Sequence, residues 1–247
     1  MDAAKTMLLV GATSDIGRAT ALHYAQGGWR ILLAARDPEA ARRNADDLAT
    51  RTGAEVSVHV LDVLETDRFG AFLDGLPALP DTAVCVVGEL GEQARTETDL
   101  RHATHVLRTN FEGPALLLNA LAERFLVRGS GTLVGVGSVA GDRGRASNYV
   151  YGAAKAGFAA FLSGLRNRLA RAGIRVLTVK PGFVRTRMTE GMKLPPLLTA
   201  EADEVGRAIF AAAEGGSADV VYIRRIWRPV MFAISAIPEK VFKRLRL

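Results

Sequence analysis

Tyr151 and Lys155 are the residues whose types and spacing most clearly suit chemistry. Four positions apart on a predicted helix, they share one face. The pKa of a tyrosine in water is about 10, too high for proton transfer at neutral pH, but a nearby ammonium stabilises the phenolate and lowers that pKa. We therefore predict a general acid or base at Tyr151, assisted by Lys155. An exposed helix pair without function is the alternative interpretation of this spacing alone.

A glycine-containing turn follows the first predicted strand, at residues 10–18. Gly11 allows a sharp turn, and Gly17 allows the following helix to approach the strand closely. The free N–H groups and partial positive charge of a helix N-terminus suit a pyrophosphate. Two glycines are a weak signal, but the strand before the turn and the helix after it favour a dinucleotide site.

Short apolar segments alternate with longer helical patterns along the chain. Several strands are apolar at every position, as expected when helices cover both faces of a sheet. The alternation predicts an α/β fold, a doubly wound parallel sheet (Rossmann fold) of about seven strands in a single domain, with ligands at the carboxyl ends of the strands. The predicted strands are 7–10, 31–35, 56–60, 83–87, 132–136, 176–180 and 220–222, and the predicted helices lie near 16–26, 38–50, 66–75, 99–128, 149–172 and 201–213.

These features together resemble the short-chain dehydrogenase/reductase family over residues 6–222. Residues 10–18 are similar to its TGxxxGIG loop, although Val10 replaces the threonine and Asp15 replaces the middle glycine. Residues 151–155 match its YxxxK motif, and residues 181–186 are similar to its PGxxxT segment. The family's Asn-Asn-Ala-Gly segment corresponds to residues 85–88, where only the glycine is retained.

The resemblance implies an NAD(P)(H)-dependent enzyme that reduces a carbonyl or oxidises an alcohol by hydride transfer. Its catalytic residues would be Asn110, Ser138, Tyr151 and Lys155. Ser138 would polarise the substrate carbonyl, and Asn110 would hold a water that links Lys155 to solvent. The cofactor-binding residues would be Gly11, Thr13, Ser14, Asp15, Ile16, Gly17, Arg36, Asp62, Val63, Gly88, Tyr151, Lys155, Pro181, Gly182, Val184 and Thr186.

Two of these positions carry further expectations. Asp15 would repel a pyrophosphate if it pointed inward, so we expect it to cap the helix and face away. The family's acidic, ribose-binding position falls at Ala35, and an arginine that accommodates a 2′-phosphate falls at Arg36. We therefore predict NADP(H), with NAD(H) as the alternative. In that alternative Arg36 is a surface cation and Asp37 contacts the ribose.

The length and composition of the chain limit the classes of protein to which it can belong. With 247 residues, 49% hydrophobic and 23% charged, the chain has the size and composition of one globular domain. The one cysteine, Cys85, excludes an internal disulfide and is interpreted as a buried side chain rather than a nucleophile. The four histidines show no metal-site pattern, so we predict no metal. We expect no signal peptide and no spanning helix, and a cytoplasmic location.

The charge is concentrated at the C-terminus. Residues 224–247 hold seven basic residues and one acid, whereas the rest of the chain has 25 of each. This distribution argues against nucleic acid as a partner. We predict a catalytic domain of residues 1–223 and a basic, apolar tail of residues 224–247, with short helices starting at Pro229 and Pro238. The tail could lie on the inner face of a membrane, close the substrate pocket or pack on a partner subunit.

Residues 183–200 form the predicted substrate loop. Its cations Arg185, Arg187 and Lys193 could meet an acidic, amphiphilic substrate, or could be solvated charges on a mobile loop. Residues 150–157, 181–188 and 228–245 are similar to the family of the reductase component of decaprenylphosphoryl-ribose 2-epimerase, which reduces a 2-keto sugar carried by a polyprenyl phosphate. This similarity implies a lipid-linked substrate.

Two other functions remain open. One is a soluble carbonyl reductase or alcohol oxidoreductase for a small apolar substrate. The other is a non-catalytic NAD(P)-binding scaffold, against which the complete set of four catalytic residues argues. The resemblance further implies a homo-oligomer, because relatives commonly assemble through the helix that carries the small residues Ala153, Ala156, Gly157, Ala160 and Gly164.

Overall fold

The computed structural model describes residues 4–245. Nine strands are formed in this part of the chain: β1 (Thr6–Val10), β2 (Arg30–Ala35), β3 (Val56–Val60), β4 (Thr82–Cys85), β5 (Gly131–Val136), β6 (Ile174–Pro181), β7 (Phe183–Arg185), β8 (Thr199–Glu201) and β9 (Val220–Ile223). Seven of them form one parallel sheet in the order β3-β2-β1-β4-β5-β6-β9, and β7 pairs separately with β8. The predicted doubly wound sheet is confirmed, and among the strands of the described chain only those of the short β7–β8 pair were not predicted.

The helices of the described chain are α1 (Asp15–Gln26), α2 (Pro38–Thr52), α3 (Phe69–Asp74), α4 (Gln93–Thr98), α5 (Leu100–Leu107), α6 (Gly113–Arg128), α7 (Tyr149–Leu169), α8 (Ala202–Glu214), α9 (Trp227–Ala236) and α10 (Glu239–Phe242). Alternate residues of each central strand pack on opposite layers. In β1, Met7 and Leu9 join the core beneath α1, α2 and α8, whereas Leu8 and Val10 join the core beneath α6 and α7. Burial on both faces explains why these strands are apolar throughout.

The predicted helix over residues 99–128 is wrong as a single element. Asp99 ends α4 and caps α5, because its carboxylate accepts hydrogen bonds from the backbone N–H groups of Arg101 and His102. A π-helical turn, Arg108–Glu112, then separates α5 from α6. Such a turn adds one residue to the helical repeat and rotates the side chains that follow.

The tail forms helices but begins them elsewhere than predicted. The first, α9, starts at Trp227, two residues before Pro229, and α10 starts at Glu239 with Pro238 as its N-cap. Trp227 and Met231 are buried against the body of the protein, so this part of the tail is packed rather than free. Arg246 and Leu247 lie outside the described residues. No helix of residues 4–245 combines the length and apolarity that a bilayer crossing requires.

Candidate active site

Two clefts meet at the carboxyl ends of the central strands. The first, the cofactor cleft, is lined by seven of the predicted cofactor residues: Gly11, Thr13, Ser14, Arg36, Asp62, Val63 and Gly88. The second, the substrate cavity, is lined by Ile16, Ser138, Tyr151, Lys155, Pro181, Gly182, Val184 and Thr186. Val86, Val87 and Gly88 line both clefts. A molecule bound in the first can therefore present one end to the second.

The glycine turn has the geometry that a pyrophosphate cradle needs. Gly11 has a φ of +91°, and a Cβ at Gly17 would lie 2.5 Å from the carbonyl oxygen of Gly11. The N-cap of α1 is Ser14, whose hydroxyl accepts a hydrogen bond from the backbone N–H of Gly17 at 3.0 Å. The 12-residue helix α1 thus begins at the cleft, where its N-terminus favours an anion.

Asp15 does not cap the helix as predicted. It is the first residue of α1, and its carboxylate accepts a hydrogen bond from the backbone N–H of Arg187 at 2.8 Å. The guanidinium of Arg187 lies 3.3 Å from the other carboxylate oxygen and also contacts the carbonyl of Thr13. The acid at the family's glycine position is therefore paired with a cation from the substrate loop.

The adenosine end of the cofactor cleft contains Arg36 and Asp37. Asp37 is the N-cap of α2, and its carboxylate accepts a hydrogen bond from the backbone N–H of Ala40 at 3.0 Å. Arg36 is exposed and forms no ion pair within the described part of the chain. A free guanidinium here suits an additional phosphate.

Thr109 was not identified from the sequence. It lies in the π-helical turn, and its hydroxyl is buried at the cofactor cleft without a hydrogen-bond partner among residues 4–245. Buried hydroxyls are normally satisfied. The unsatisfied hydroxyl, the glycine cradle and the helix N-terminus together fit a dinucleotide in this cleft.

Ser138, Tyr151 and Lys155 share one wall of the substrate cavity. Lys155 is buried, and its ammonium donates hydrogen bonds to the carbonyl oxygens of Val87 at 3.2 Å and Val136 at 3.3 Å. Its Nζ lies 5.8 Å from the centroid of the Tyr151 ring. The predicted grouping on one face of α7 is therefore present.

The pKa of Tyr151 shifts in the direction opposite to the expected one. Burial raises this pKa, and the hydrogen bond with Ser138 only partly offsets the effect. Burial also lowers the pKa of Lys155 from 10.5 to about 8, because the cavity disfavours a charge on either group. Tyr151 is consequently a protonated phenol at neutral pH.

Asn110 lies behind this wall rather than in the cavity. The π-helical turn directs it inward, where its amide donates hydrogen bonds to the carbonyls of Glu89 and Val106 at 2.7 and 2.8 Å. Its oxygen accepts one from the N–H of Glu89 at 3.1 Å. A Cβ at Gly88 would lie 3.0 Å from this oxygen and 3.1 Å from Nζ of Lys155. This close approach leaves little room for a side chain at position 88.

The tail contributes directly to the substrate cavity. Trp227 of α9 lines it, packs edge-to-face against Phe183 and donates an indole hydrogen bond to the carbonyl of Leu198 at 3.0 Å. A Cβ at Gly182 would lie 1.9 Å from the indole nitrogen. The position of Trp227 agrees with the alternative in which the tail closes the substrate pocket. Trp227 is the one tryptophan in the tail sequence, and this large apolar side chain was the signal that could have indicated a buried contact.

Two of the three cations of the substrate loop are paired, whereas the third, Lys193, is exposed and has no ion pair within residues 4–245. Arg185 forms an ion pair with Glu201 at 3.0 Å, and Arg187 is held by Asp15. Thr186, one of the predicted cofactor-binding residues, forms a capping box with Thr189. The loop residues that line the cavity include Met188 and Met192, which give it an apolar wall.

Comparison with known proteins agrees with this arrangement. The family model described as short chain dehydrogenase matches residues 5–195. An uncharacterized oxidoreductase of Mycobacterium tuberculosis (strain H37Rv) is 37% identical, covering 98% of this chain and 97% of its own. Sulfoacetaldehyde reductase 2 of Chromohalobacter salexigens is 32% identical over 74% of each chain. A short-chain type dehydrogenase/reductase from Mycobacterium marinum superposes with a TM-score of 0.81 at 26% identity, covering 89% of this chain and 93% of its own.

Proposed function

Because the chain belongs to the short chain dehydrogenase family, and is thus an NAD(P)-dependent oxidoreductase, we propose that it reduces the carbonyl group of a small-molecule substrate, or oxidises the corresponding alcohol, at Ser138 and Tyr151. One observation carries the proposal: these side chains line a cavity that adjoins the cofactor cleft through Val86, Val87 and Gly88. The name of the sulfoacetaldehyde relative favours the reductive direction.

Each side chain of the site has its own role in the proposed reaction. A bound nicotinamide would supply the hydride, which is chemistry of the cofactor. Ser138 donates a hydrogen bond to the substrate carbonyl and orients it. Tyr151, whose raised pKa keeps its phenol protonated, donates its proton to the carbonyl oxygen as the hydride arrives. Lys155 stabilises the resulting phenolate, and the carbonyls of Val87 and Val136 hold the lysine in place.

Substitution of Tyr151 tests this proposal. In a panel of ketones and aldehydes followed by loss of reduced-cofactor absorbance, Tyr151→Phe is expected to lower kcat by at least about a hundredfold while leaving cofactor binding nearly unchanged. Tyr149→Phe is a matched control, because Tyr149 lies on the same helix but is exposed. Near-normal turnover in Tyr151→Phe would remove the proposed proton donor.

We further propose NADP(H) as the cofactor. The support is the exposed guanidinium of Arg36 at the adenosine end of the cleft and the engagement of Asp37 in capping α2. An arginine binds a phosphate through charge-assisted, paired hydrogen bonds. NAD(H) lacks the 2′-phosphate that such a side chain would contact.

A second candidate substrate is a keto sugar carried on a polyprenyl phosphate. The observation that favours it is an amphipathic tail surface, defined by the exposed apolar residues Ile226, Phe232, Val241 and Leu245 and the exposed cations Arg225, Arg228, Lys240, Lys243 and Arg244. Arg224 is not part of it, because its guanidinium pairs with Glu204 at 3.3 Å. Such a surface suits an anionic membrane face, and would place the enzyme there rather than free in the cytoplasm.

Sedimentation with lipid vesicles tests the tail surface. The protein is expected to sediment with anionic vesicles at low salt, less so at high salt, and not with neutral vesicles. Phe232→Asp is expected to abolish the association, whereas Val127→Asp, which changes an exposed residue of α6, is the matched control. A wild-type protein that stays in the supernatant at low salt would favour a soluble, small substrate.

We also propose that the protein is a homo-oligomer. Ala153, Ala160 and Gly164 are exposed on α7, and Leu107 and Phe111 are partly exposed beside them, with Phe111 in contact range of Gly157. Small residues permit close packing of helices, and an exposed apolar face favours association. Analytical ultracentrifugation at micromolar concentration tests this; a monomer would contradict it.

A further inference from the structure

The substrate cavity continues beyond Tyr151 into a second chamber. The two chambers share the residues Leu90, Arg145, Asn148, Tyr151, Phe183 and Met192. The first chamber contains Ser138 and Lys155, and the second adds Gln93 and Thr96. A substrate whose carbonyl reaches Tyr151 can therefore extend past Arg145 into the second chamber.

The two chambers have an unbalanced charge. Among the described residues that line them there are two cations, Lys155 and Arg145, and no aspartate or glutamate. Lys155 is engaged with the carbonyls of Val87 and Val136. Arg145 is the cation that stands between the chambers without an acid beside it. Most of the remaining lining residues are apolar, so few other groups in the chambers compete with Arg145 for a charged part of a ligand.

One nitrogen of the Arg145 guanidinium is also unsatisfied among the described residues. Its Nε is buried and has no hydrogen-bond partner within residues 4–245, and the same holds for Oδ1 of its neighbour Asn148. Burial lowers the pKa of the Arg145 guanidinium. Buried polar groups normally have partners, and an exception calls for an explanation. A ligand with acceptor oxygens would satisfy the guanidinium.

The cations expected to meet an acidic substrate do not serve this purpose. Arg185 is paired with Glu201, and Arg187 is paired with Asp15. The third, Lys193, is exposed, and none of the three lines the two chambers. Arg145 precedes α7 in the chain and was not identified from the sequence, because nothing in its local pattern distinguishes it from a solvated charge.

We propose that Arg145 is a specificity-determining residue that binds an anionic group of the substrate, a carboxylate or a phosphate, carried on the far side of the carbonyl that Tyr151 protonates. The inference rests on the proposed carbonyl reduction and deepens it by naming the substrate class. A guanidinium presents two parallel N–H groups to the oxygens of such an anion. The apolar walls of the chambers exclude water and strengthen this contact.

Kinetics on a matched pair of aldehydes tests the proposal. The pair is 4-oxobutanoate and its methyl ester, which differ in the negative charge. Arg145→Ala is expected to raise the KM for the acid by about tenfold or more, with kcat nearly unchanged and the ester unaffected. Arg145→Lys is expected to have a KM for the acid between those of the unchanged protein and Arg145→Ala, because lysine keeps the charge but loses the paired N–H geometry.

Arg171→Ala is the matched control. It removes the same charge from an exposed residue just beyond the other end of α7, about 30 Å away along the helix. Its KM values for both aldehydes are expected to equal those of the unchanged protein. If Arg145→Ala leaves the ratio of the two KM values unchanged, the proposal is overturned. Turnover of the two aldehydes by that variant would still agree with the role of Tyr151 as proton donor.

A binding measurement separates this proposal from the proposed reaction. Trp227 lines the first chamber, whereas Trp29, the other tryptophan, is buried in the core against Tyr24. Tryptophan fluorescence of the holoenzyme can therefore report titrations with succinate and with butyl phosphate. Binding of either anion that is lost in Arg145→Ala and kept in Arg171→Ala supports the proposal, even if no aldehyde is turned over.

The two anions distinguish the sources of the charge. Stronger binding of succinate indicates a small carboxylate substrate, and stronger binding of butyl phosphate indicates a phosphorylated or lipid-phosphate substrate; both outcomes support an anion site at Arg145. If neither anion binds to the unchanged protein, or if both bind equally well to Arg145→Ala, the proposal is overturned.

Discussion

Lys155 carries its charge in a place that disfavours charge. The residue is 3% exposed, and burial brings its pKa to about 8. Its two hydrogen bonds, to the carbonyls of Val87 and Val136, hold the ammonium beside Tyr151. The proposed reaction needs the group there, whereas the stability of the fold would favour its removal, a conflict that is common at functional sites.

Replacing Lys155 should expose this conflict. The difference between 10.5 and about 8 corresponds to about 3 kcal/mol at neutral pH, from which two lost hydrogen bonds of about 1 kcal/mol each are subtracted. Lys155→Met is therefore expected to unfold at a denaturant midpoint equivalent to about 1 kcal/mol higher stability, with turnover lost. A destabilised Lys155→Met would show that the hydrogen bonds outweigh the burial of the charge.

The same group predicts a pH dependence of stability. Between pH 8 and 10.5 the unfolded chain binds a proton at Lys155 that the folded protein has released, so the free energy of unfolding gains a contribution that rises with pH in this window. Urea titrations of the unchanged protein and of Lys155→Met at pH 7 and 10 measure it. The advantage of the variant at pH 7 should shrink at pH 10; a constant difference would contradict the assignment.

Arg36 is expected to determine the preference of the enzyme for NADPH over NADH. Arg36→Ala is expected to weaken NADPH binding by about tenfold or more, because a charge-assisted contact with the 2′-phosphate is lost, and to leave NADH binding unchanged. Calorimetric titration of both cofactors measures this. Arg42→Ala, at an exposed cation of α2 that pairs with Glu39, is the control. An unchanged protein that prefers NADH would overturn the assignment.

At the scale of elements, two segments that are far apart in the chain meet over the cofactor cleft. The start of α1 carries Asp15, and the loop after β7 carries Arg187, which contacts both Asp15 and the carbonyl of Thr13. The pair lets an acid occupy a position that is glycine in the resembling motif. It also holds the substrate loop against the glycine turn.

Separating this pair should weaken cofactor binding. Arg187→Ala leaves the carboxylate of Asp15 uncompensated beside the cleft, and we expect about a fivefold loss of affinity for NADPH, the scale of an exposed ion pair. The double variant Asp15→Gly/Arg187→Ala should recover most of that affinity, because the repelling charge is gone. Calorimetry on both variants checks this; a double variant as weak as Arg187→Ala would refute the compensation.

At the scale of the whole molecule, the tail has two parts with different attachments. The first part, α9, places Trp227 in the substrate cavity and Met231 in the core beside it. The second, α10, is attached through Arg143, which pairs with Glu239 at 2.5 Å and lies 4.3 Å from the centroid of the Phe242 ring. The first part completes the cavity, whereas the second lies on the surface.

Two truncations should separate these parts. Removal of residues 238–247 is expected to leave reduction of a small soluble carbonyl within about twofold of the unchanged protein and to cost about 1 kcal/mol of stability, the scale of exposed ion pairs. Removal of residues 227–247 also removes a buried tryptophan, and we expect a loss of about 3 kcal/mol or more and a KM at least tenfold higher. Steady-state kinetics and thermal unfolding measure both; equal activity in the two truncations would contradict a cavity role for Trp227.

Features encoded in a single segment of the chain could be predicted from the sequence. The buried parallel strands are apolar at successive positions, and Tyr151 and Lys155 share a face because they are one helical turn apart. The glycine turn could likewise be read from residues adjacent in the chain. These predictions hold because the strand and helix repeats are short enough to be visible in a single segment.

Tertiary structure alone decided the contacts between distant segments. Asp15 and Arg187 are 172 residues apart, the inward direction of Asn110 depends on a π-helical turn anchored at Glu89, and Trp227 meets Gly182 only through the packing of α9. The pKa of Tyr151 is raised because the folded core removes water from it. Burial and long-range pairing arise from how the elements pack, and no local window of the sequence contains both partners.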